Sequence, residues 1–278
     1  MTIAIGFACS DGIVLATDTQ YTTQYVGLGI KREGPKLFVA AERSDLTVII
    51  AAAGSVPFMK MAVGKLKDAF DLLISPSERE VQQTVEDVLL LFFKAHIYPV
   101  PNNRPQFSLL IGARIGTNTY RLWETESTSV VPVASYACIG AGETISQYAL
   151  KLVHGGSEVA DTMFTAAFAV KAAKDHVNGC GGPTKLWTLT QVGIDKTASF
   201  DMKDAEEISD DLFQWMRVLL IYLSTEGILV ENDDGVRSVT DEIGNRVLDF
   251  RNKQRAKKEK RRKFVELQAQ RRKAKLSG

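Results

Sequence analysis

Cysteine is scarce in this chain: 278 residues hold only Cys9, Cys138 and Cys180. Three is an odd number and the spacings are wide, so they describe neither a disulfide framework nor a metal-ligand set. Buried free thiols in a reducing cytoplasm are the expectation. No run of about 18 uncharged apolar residues occurs, which argues against a hydrophobic membrane-spanning helix. The start has no basic region followed by an apolar stretch and a cleavage site, so no secretory signal is expected. His96, His154 and His176 are scattered and form no metal set. Gly179-Cys180-Gly181-Gly182 follows an expected helix, whereas a phosphate-cradling loop precedes one. No metal, organic cofactor or ATP-binding loop is expected.

Charge is present in near balance, but it is not evenly spread. From Arg251 to Gly278 there are 13 Lys and Arg against 2 acidic residues, leaving 21 basic and 31 acidic residues in the preceding 250. An acidic body therefore carries a very basic tail, and the two are separate physical objects. We expect a domain over 1–225 and an extension over 226–278, strongly basic from 251. Between Asp241 and Lys275 there is no proline and one glycine, Gly244, which permits a helical extension or a disordered arm. Docking on an acidic neighbouring subunit is the preferred reading of the tail. Contact with nucleic acid ranks second, because basic groups suit phosphates but no aromatic interleaving or base-reading motif accompanies them. A solubilising role is the third.

Periodicity organises the body. Strands are expected at about 2–9, 13–19, 36–40 and 47–51, with Gln20 to Pro35 a loop or short hairpin. Helical spacing follows over 56–73, then again over 77–96, where Ser77 and Glu80 make a capping-box pattern. Pro99, Pro101 and Pro105 mark a loop. Strands are expected at 107–114, 119–124, 129–133 and 135–139. Helices follow at 143–153 and 157–177, the latter with Ser157 as cap. Closing strands at 186–192 and 198–200 precede a last helix over 204–224. Two packed sheets with helix pairs outside would bury all of these faces. The expected class is α+β, a four-layer αββα sandwich with a basic helical extension.

The chemistry concentrates at the head. Thr2 opens Ile3-Ala4-Ile5-Gly6-Phe7, and Ser10-Asp11-Gly12 turns into Ile13-Val14-Leu15-Ala16-Thr17-Asp18-Thr19. Threonine is small, so removal of Met1 by an aminopeptidase is expected. The exposed residue would then carry both a hydroxyl and a free α-amine. Such an amine titrates at about 7.7–8.0, so near neutrality part of it can accept the hydroxyl proton and activate a weak nucleophile. With Met1 attached, the same nitrogen is an amide and cannot.

This head resembles a proteasome β-type subunit, one of the N-terminal nucleophile hydrolases, and bacterial proteasome-like proteases in particular. The resemblance covers residues 2 to about 225 and is most specific at the head. It implies the αββα fold and Thr2 as nucleophile, its β-branched side chain restricted at χ1. Asp18, sixteen residues on, matches the family aspartate. Lys36, in Pro35-Lys36-Leu37-Phe38, matches the lysine that this aspartate holds, two residues later than in most members, with Lys31 and Arg32 as nearby rivals. A buried ammonium there would disfavour protonation of the amine and lower the hydroxyl pKa. Gly54 matches the glycine whose N–H faces the oxyanion, and Asp175 the second aspartate near the amine. Ala141, in Gly140-Ala141-Gly142, stands where active members usually carry serine.

For substrate, the resemblance implies a peptide added as a strand beside Thr22, with Tyr21, Ala52 and Val56 lining a small-to-medium apolar pocket. It implies a threonine-type endopeptidase in a self-compartmentalising homo-oligomeric ring, acting on peptides or unfolded protein, with an unfolding ATPase as a further partner. Two alternatives stay open: a stand-alone amidase for a small amide, and a non-catalytic structural ring subunit.

Overall fold

The first apolar run becomes β1 (Ile3–Cys9), and the turn at Ser10 and Asp11 returns it as β2 (Gly12–Thr17). Every residue of β2 is buried. A strand covered on both faces has no solvent side, so its sequence reads as continuous apolar residues instead of an alternation. The computed structural model describes residues 2–25, 28–102, 104–196, 202–224, 237–238, 240–253, 255–256 and 259. They fall into two units, Met1–Thr197 and Ala198–Gly278, each taken by itself.

In the first unit, β3 (Gln20–Tyr25) and β4 (Leu28–Glu33) form a hairpin in a sheet of their own. The chain continues through β5 (Leu37–Glu42), β6 (Leu46–Gly54), α1 (Val56–Leu72) and α2 (Glu78–His96). Then come β7 (Phe107–Ile115), β8 (Thr119–Glu126), β9 (Ser129–Pro132), β10 (Tyr136–Gly140), α3 (Glu143–Val153), α4 (Val159–His176), β11 (Lys185–Thr190) and β12 (Gly193–Asp195). Two five-stranded antiparallel sheets result, ordered β10-β1-β2-β11-β12 and β5-β6-β7-β8-β9. The class is α+β.

Side-chain alternation shows how these elements are covered. Ile49, Ala51 and Ala53 of β6 join Ala4, Ile13, Leu15 and Ile139 of the other sheet in one apolar cluster. The residues between them, Val48, Ile50 and Ala52, point the opposite way into a second cluster. That cluster takes Met59, Ala62, Leu66 and Phe70 from α1 and Val81, Val85, Leu89 and Phe92 from α2. Spacings of three and four place these residues on one helix face. On the other sheet, α3 contacts β10, and α4 contacts β1, β2 and β11.

The capping box of α2 forms: Ser77 Oγ accepts from Glu80 N, and the Glu80 carboxylate accepts from Ser77 N at 2.7 Å. The Ser157 cap of α4 does not form. The N-cap is Glu158, without a side-chain bond. Asp11 Oδ1 instead accepts from Val159 N at 2.8 Å, and the Ser157 carbonyl accepts from Ser10 N and Oγ. The β1–β2 turn thus caps a helix almost 150 residues away, through contacts that local sequence cannot show.

In the second unit, α5 (Met202–Ser224) begins with an acidic first turn at Asp204. Residues 240–253 are helical, and Arg246 lies 3.8 Å from Asp211. The expected strand at 198–200 and most of the basic stretch from 251 lie outside the described residues. No helix among the described residues is long and apolar enough to cross a membrane.

Candidate active site

Thr2 sits just ahead of β1 and Asp18 just after β2. The β1–β2 register pairs Ala4 with Thr17, so one further step out sets Asp18 opposite Ile3. Asp18 N donates to Ile3 O at 3.4 Å. Lys36 directly precedes β5, and its carbonyl accepts from Ala52 N on β6 at 2.9 Å. Three distant sequence positions are therefore fixed by backbone pairing before any side chain acts.

Their side chains meet out of solvent. Thr2 is 3% exposed, Asp18 0% and Lys36 1%. An ammonium has three donors and no acceptor, and the Lys36 Nζ bonds account for all three. It donates to Thr2 Oγ1, to Asp18 Oδ1 at 2.5 Å and to the Gln20 carbonyl at 2.6 Å. Thr2 Oγ1 donates in turn to Asp18 Oδ1 at 2.8 Å. Asp18 also accepts from Ile3 N on Oδ1 at 3.1 Å and from Gly181 N on Oδ2 at 3.0 Å. Burial holds the Lys36 pKa below the usual lysine range, and the Asp18 carboxylate opposes that shift. Burying such a pair is costly, but removing one partner costs more, because the other charge is left without compensation.

Glycines bring backbone against Thr2. Gly140 has φ +99°, and a Cβ there would lie 2.5 Å from the Thr2 carbonyl oxygen and 3.1 Å from Ala53 Cβ. Gly142 N donates to the same Thr2 carbonyl at 3.2 Å. In the Gly140-Ala141-Gly142 turn, contact with Thr2 is thus made by backbone on either side of Ala141. Ala53 leads into Gly54, the last residue of β6, at φ +116°. A Cβ on Gly54 would lie 2.4 Å from the Gln106 carbonyl oxygen. Both steric and torsional constraints require glycine there.

The expected pocket residues share a neighbourhood. Tyr21 and Ala52 are buried in one apolar cluster, and Val56, the first residue of α1, packs against it. The Tyr21 hydroxyl donates to the Pro35 carbonyl, and burial pushes its pKa up to about 12, with Asp18 adding to the effect. Thr22 pairs with Lys31 across the hairpin, and its buried hydroxyl has no hydrogen-bond partner among the described residues. Asp175 lies elsewhere in its contacts. On the last turn of α4, its carboxylate accepts from Lys171 Nζ at 2.6 Å, whereas the Thr2 hydroxyl bonds to Asp18 and Lys36.

Three contributors were not visible in the sequence. The Gln20 carbonyl and the Gly181 N–H act through backbone, which leaves no side-chain signature. Cys180 stands beside the site: a Cβ on Gly142 would lie 3.2 Å from its sulfur. Its thiol pKa is pushed up to about 11 by burial, then by the Asp18 charge, against a smaller opposing effect of Lys36.

Comparison with known proteins gives the fold a relative. Anbu from Hyphomicrobium sp. strain MC1, a Gly-1 mutant, superposes with a TM-score of 0.65 at 13% identity over 83% of this chain and 100% of its own. The helical assembly of the Anbu complex from Pseudomonas aeruginosa gives 0.66 at 13%, covering 82% and 100%. Anbu (ancestral beta-subunit) from Yersinia bercovieri gives 0.65 at 14%, covering 82% and 99%. The chain shares the Anbu fold. No family model matches it, and no curated protein matches it. These findings correct the resemblance drawn from the head. The structural likeness is to Anbu, and assignment to the bacterial proteasome-like β-type subunits does not stand. The head motif is short, and at 13% identity the rest of the chain preserves the fold without carrying a family's sequence.

Proposed function

We propose that this chain is a threonine-type N-terminal nucleophile hydrolase that cleaves peptide bonds. The observation that carries this reading is the hydrogen bond from Lys36 Nζ to Thr2 Oγ1 within a buried Lys36–Asp18 pair. A structural threonine ahead of a strand has no need of a buried ammonium on its hydroxyl. A nucleophile does, because the cation stabilises the developing alkoxide and lowers the pKa of its own hydroxyl.

The reaction begins after Met1 is removed. The Thr2 amine takes the hydroxyl proton as Oγ1 bonds to the substrate carbonyl carbon. The Gly54 N–H, at the end of β6 and two residues ahead of α1, stabilises the oxyanion, a contribution typically worth about 3–4 kcal/mol. Collapse of the tetrahedral intermediate breaks the C–N bond, and the amine returns its proton to the leaving nitrogen. Water then attacks the ester, giving up a proton to the amine, and the carboxylic acid departs as Thr2 is restored. Lys36 stays cationic throughout, and Asp18 holds it in place. No step is assigned to Asp175, whose carboxylate is engaged by Lys171.

The substrate would enter extended along β3, which pairs with no strand except β4 among the described residues. Its main chain would be read at Thr22, and the side chain before the scissile bond would meet Tyr21, Ala52 and Val56. The reading is supported by backbone pairing that sets Asp18 beside Ile3 and Lys36 beside Ala52. We extend the reading to a homo-oligomer, supported by the helical assembly of the Pseudomonas aeruginosa Anbu complex.

The test is turnover of an unfolded protein and of short fluorogenic peptides by the purified chain, compared with Thr2→Ala in the same oligomeric state. The expected result is turnover in the parent and none in the variant. Equal turnover in the two would overturn the mechanism.

A further inference from the structure

Tyr21 makes contacts that a pocket wall does not need. The Lys36 ammonium lies 4.9 Å from the centroid of its ring. A cation within about 6 Å of a ring face is attracted by the ring's negative charge distribution. The Tyr21 hydroxyl donates to the carbonyl of Pro35, the residue before Lys36. Gly34, one residue earlier, abuts the same ring: a Cβ there would lie 2.7 Å from it. One side chain, 7% exposed, thus touches the charge of Lys36 and the two residues that deliver it. The preceding residue, Gln20, adds its carbonyl to the ammonium from the same strand.

We propose that Tyr21 is a positioning residue that holds the Lys36 ammonium against Thr2, with its ring face on the charge and its hydroxyl on the Pro35 carbonyl. The kinetic consequence rests on the hydrolase reading; the effect on Lys36 itself does not. The groups facing Lys36 are Thr2 ahead of β1, Asp18 after β2, Tyr21 on β3, and Cys180 in the segment after α4. Burial disfavours the charge on Lys36, and Asp18 and Cys180 favour it. The ring face adds to the favouring side. Reversing the ring's quadrupole while keeping its bulk therefore makes Lys36 lose its proton at lower pH.

The experiment follows Lys36 directly. Full-length protein with lysine labelled at Cε is titrated by NMR, and the Lys36 resonance is identified by its loss in Lys36→Arg. Four proteins are compared: the parent, Tyr21→Phe, one with a pentafluorinated phenylalanine at position 21, and Tyr21→Leu. Fluorination drains the ring face with little change of shape, so a folding failure is not the expected outcome; Tyr21→Leu provides a second route. The fluorinated protein should titrate about 0.5–1.5 pH units below Tyr21→Phe. Tyr21→Leu should fall in the same direction. Coinciding midpoints across the set would overturn the proposal. The alkaline limb of kcat/KM should move with the Lys36 midpoint, whereas a residue that only lines the pocket would change KM and side-chain preference and leave that limb in place. Shifted titration in a protein with no turnover would sink the hydrolase reading alone. Turnover with an unshifted titration would sink the Tyr21 assignment alone.

Discussion

The Lys36–Asp18 and Lys171–Asp175 pairs have nearly equal lengths, 2.5 and 2.6 Å, and opposite surroundings. Both side chains of the first pair are fully buried, while those of the second are 13% and 37% exposed. The second is spaced i,i+4 on α4, where helix geometry alone brings the partners together. Water screens it, and such pairs typically contribute about 0.3–0.5 kcal/mol. The first joins residues eighteen apart through strand pairing, and each of its charges depends on the other. The lesson concerns environment, since the two residue types are the same. The buried ammonium places its three protons on Asp18, the Gln20 carbonyl and the Thr2 hydroxyl.

Three substitutions can break or sharpen this contrast. The largest effect is expected for Asp18→Ala, which strands the Lys36 charge and removes the acceptor of Thr2 Oγ1, Ile3 N and Gly181 N. Unfolding free energy, read by denaturant titration, should fall by about 3–5 kcal/mol. A loss as small as that of an exposed pair would place both pairs in one class. Gly140→Ala should come next. The added Cβ would meet the Thr2 carbonyl at a positive φ, so a cost of about 1–3 kcal/mol is expected, together with reduced turnover as Thr2 is pushed from Lys36. Full turnover with wild-type thermal stability would show that close backbone approach at Thr2 is not required. The smallest effect is expected for Asp175→Ala, a loss of about 0.3–0.5 kcal/mol that shrinks further in high salt. A salt-insensitive loss of several kcal/mol would reveal a second demanding pair.

The same contrast explains what the sequence could show. Thr2 and Asp18 were named by the resemblance of the head, and the structure shows a tight hairpin converting their separation into spatial proximity. Lys36 was named by the same resemblance with Lys31 and Arg32 as rivals, because the β3–β4 hairpin between it and Asp18 blurs the spacing. Asp175 was expected near the Thr2 amine, and its i,i+4 pairing with Lys171 went unread. Contributions made through backbone, at Gln20 and Gly181, had no residue signature. The Asp11 cap on α4 was hidden because its partner lies in a different part of the chain. The apolar alternation that separates the two faces of β6 was legible as strand, but which sheet each face meets is decided only by tertiary packing. The resemblance of the head misled about the relative, because some twenty residues can resemble one group while 83% of the chain aligns with the Anbu fold at 13% identity.

The central claim is that Thr2 supplies both an attacking oxygen and the amine that takes its proton. A peptide epoxyketone reports on both atoms at once, since its two electrophilic carbons close a ring through the hydroxyl and the amine of one residue. Intact mass of the assembled protein, followed by peptide mapping, should show loss of Met1 and a single adduct on Thr2. Fully processed protein that gains no adduct, or an adduct that persists in Thr2→Ala, would contradict it.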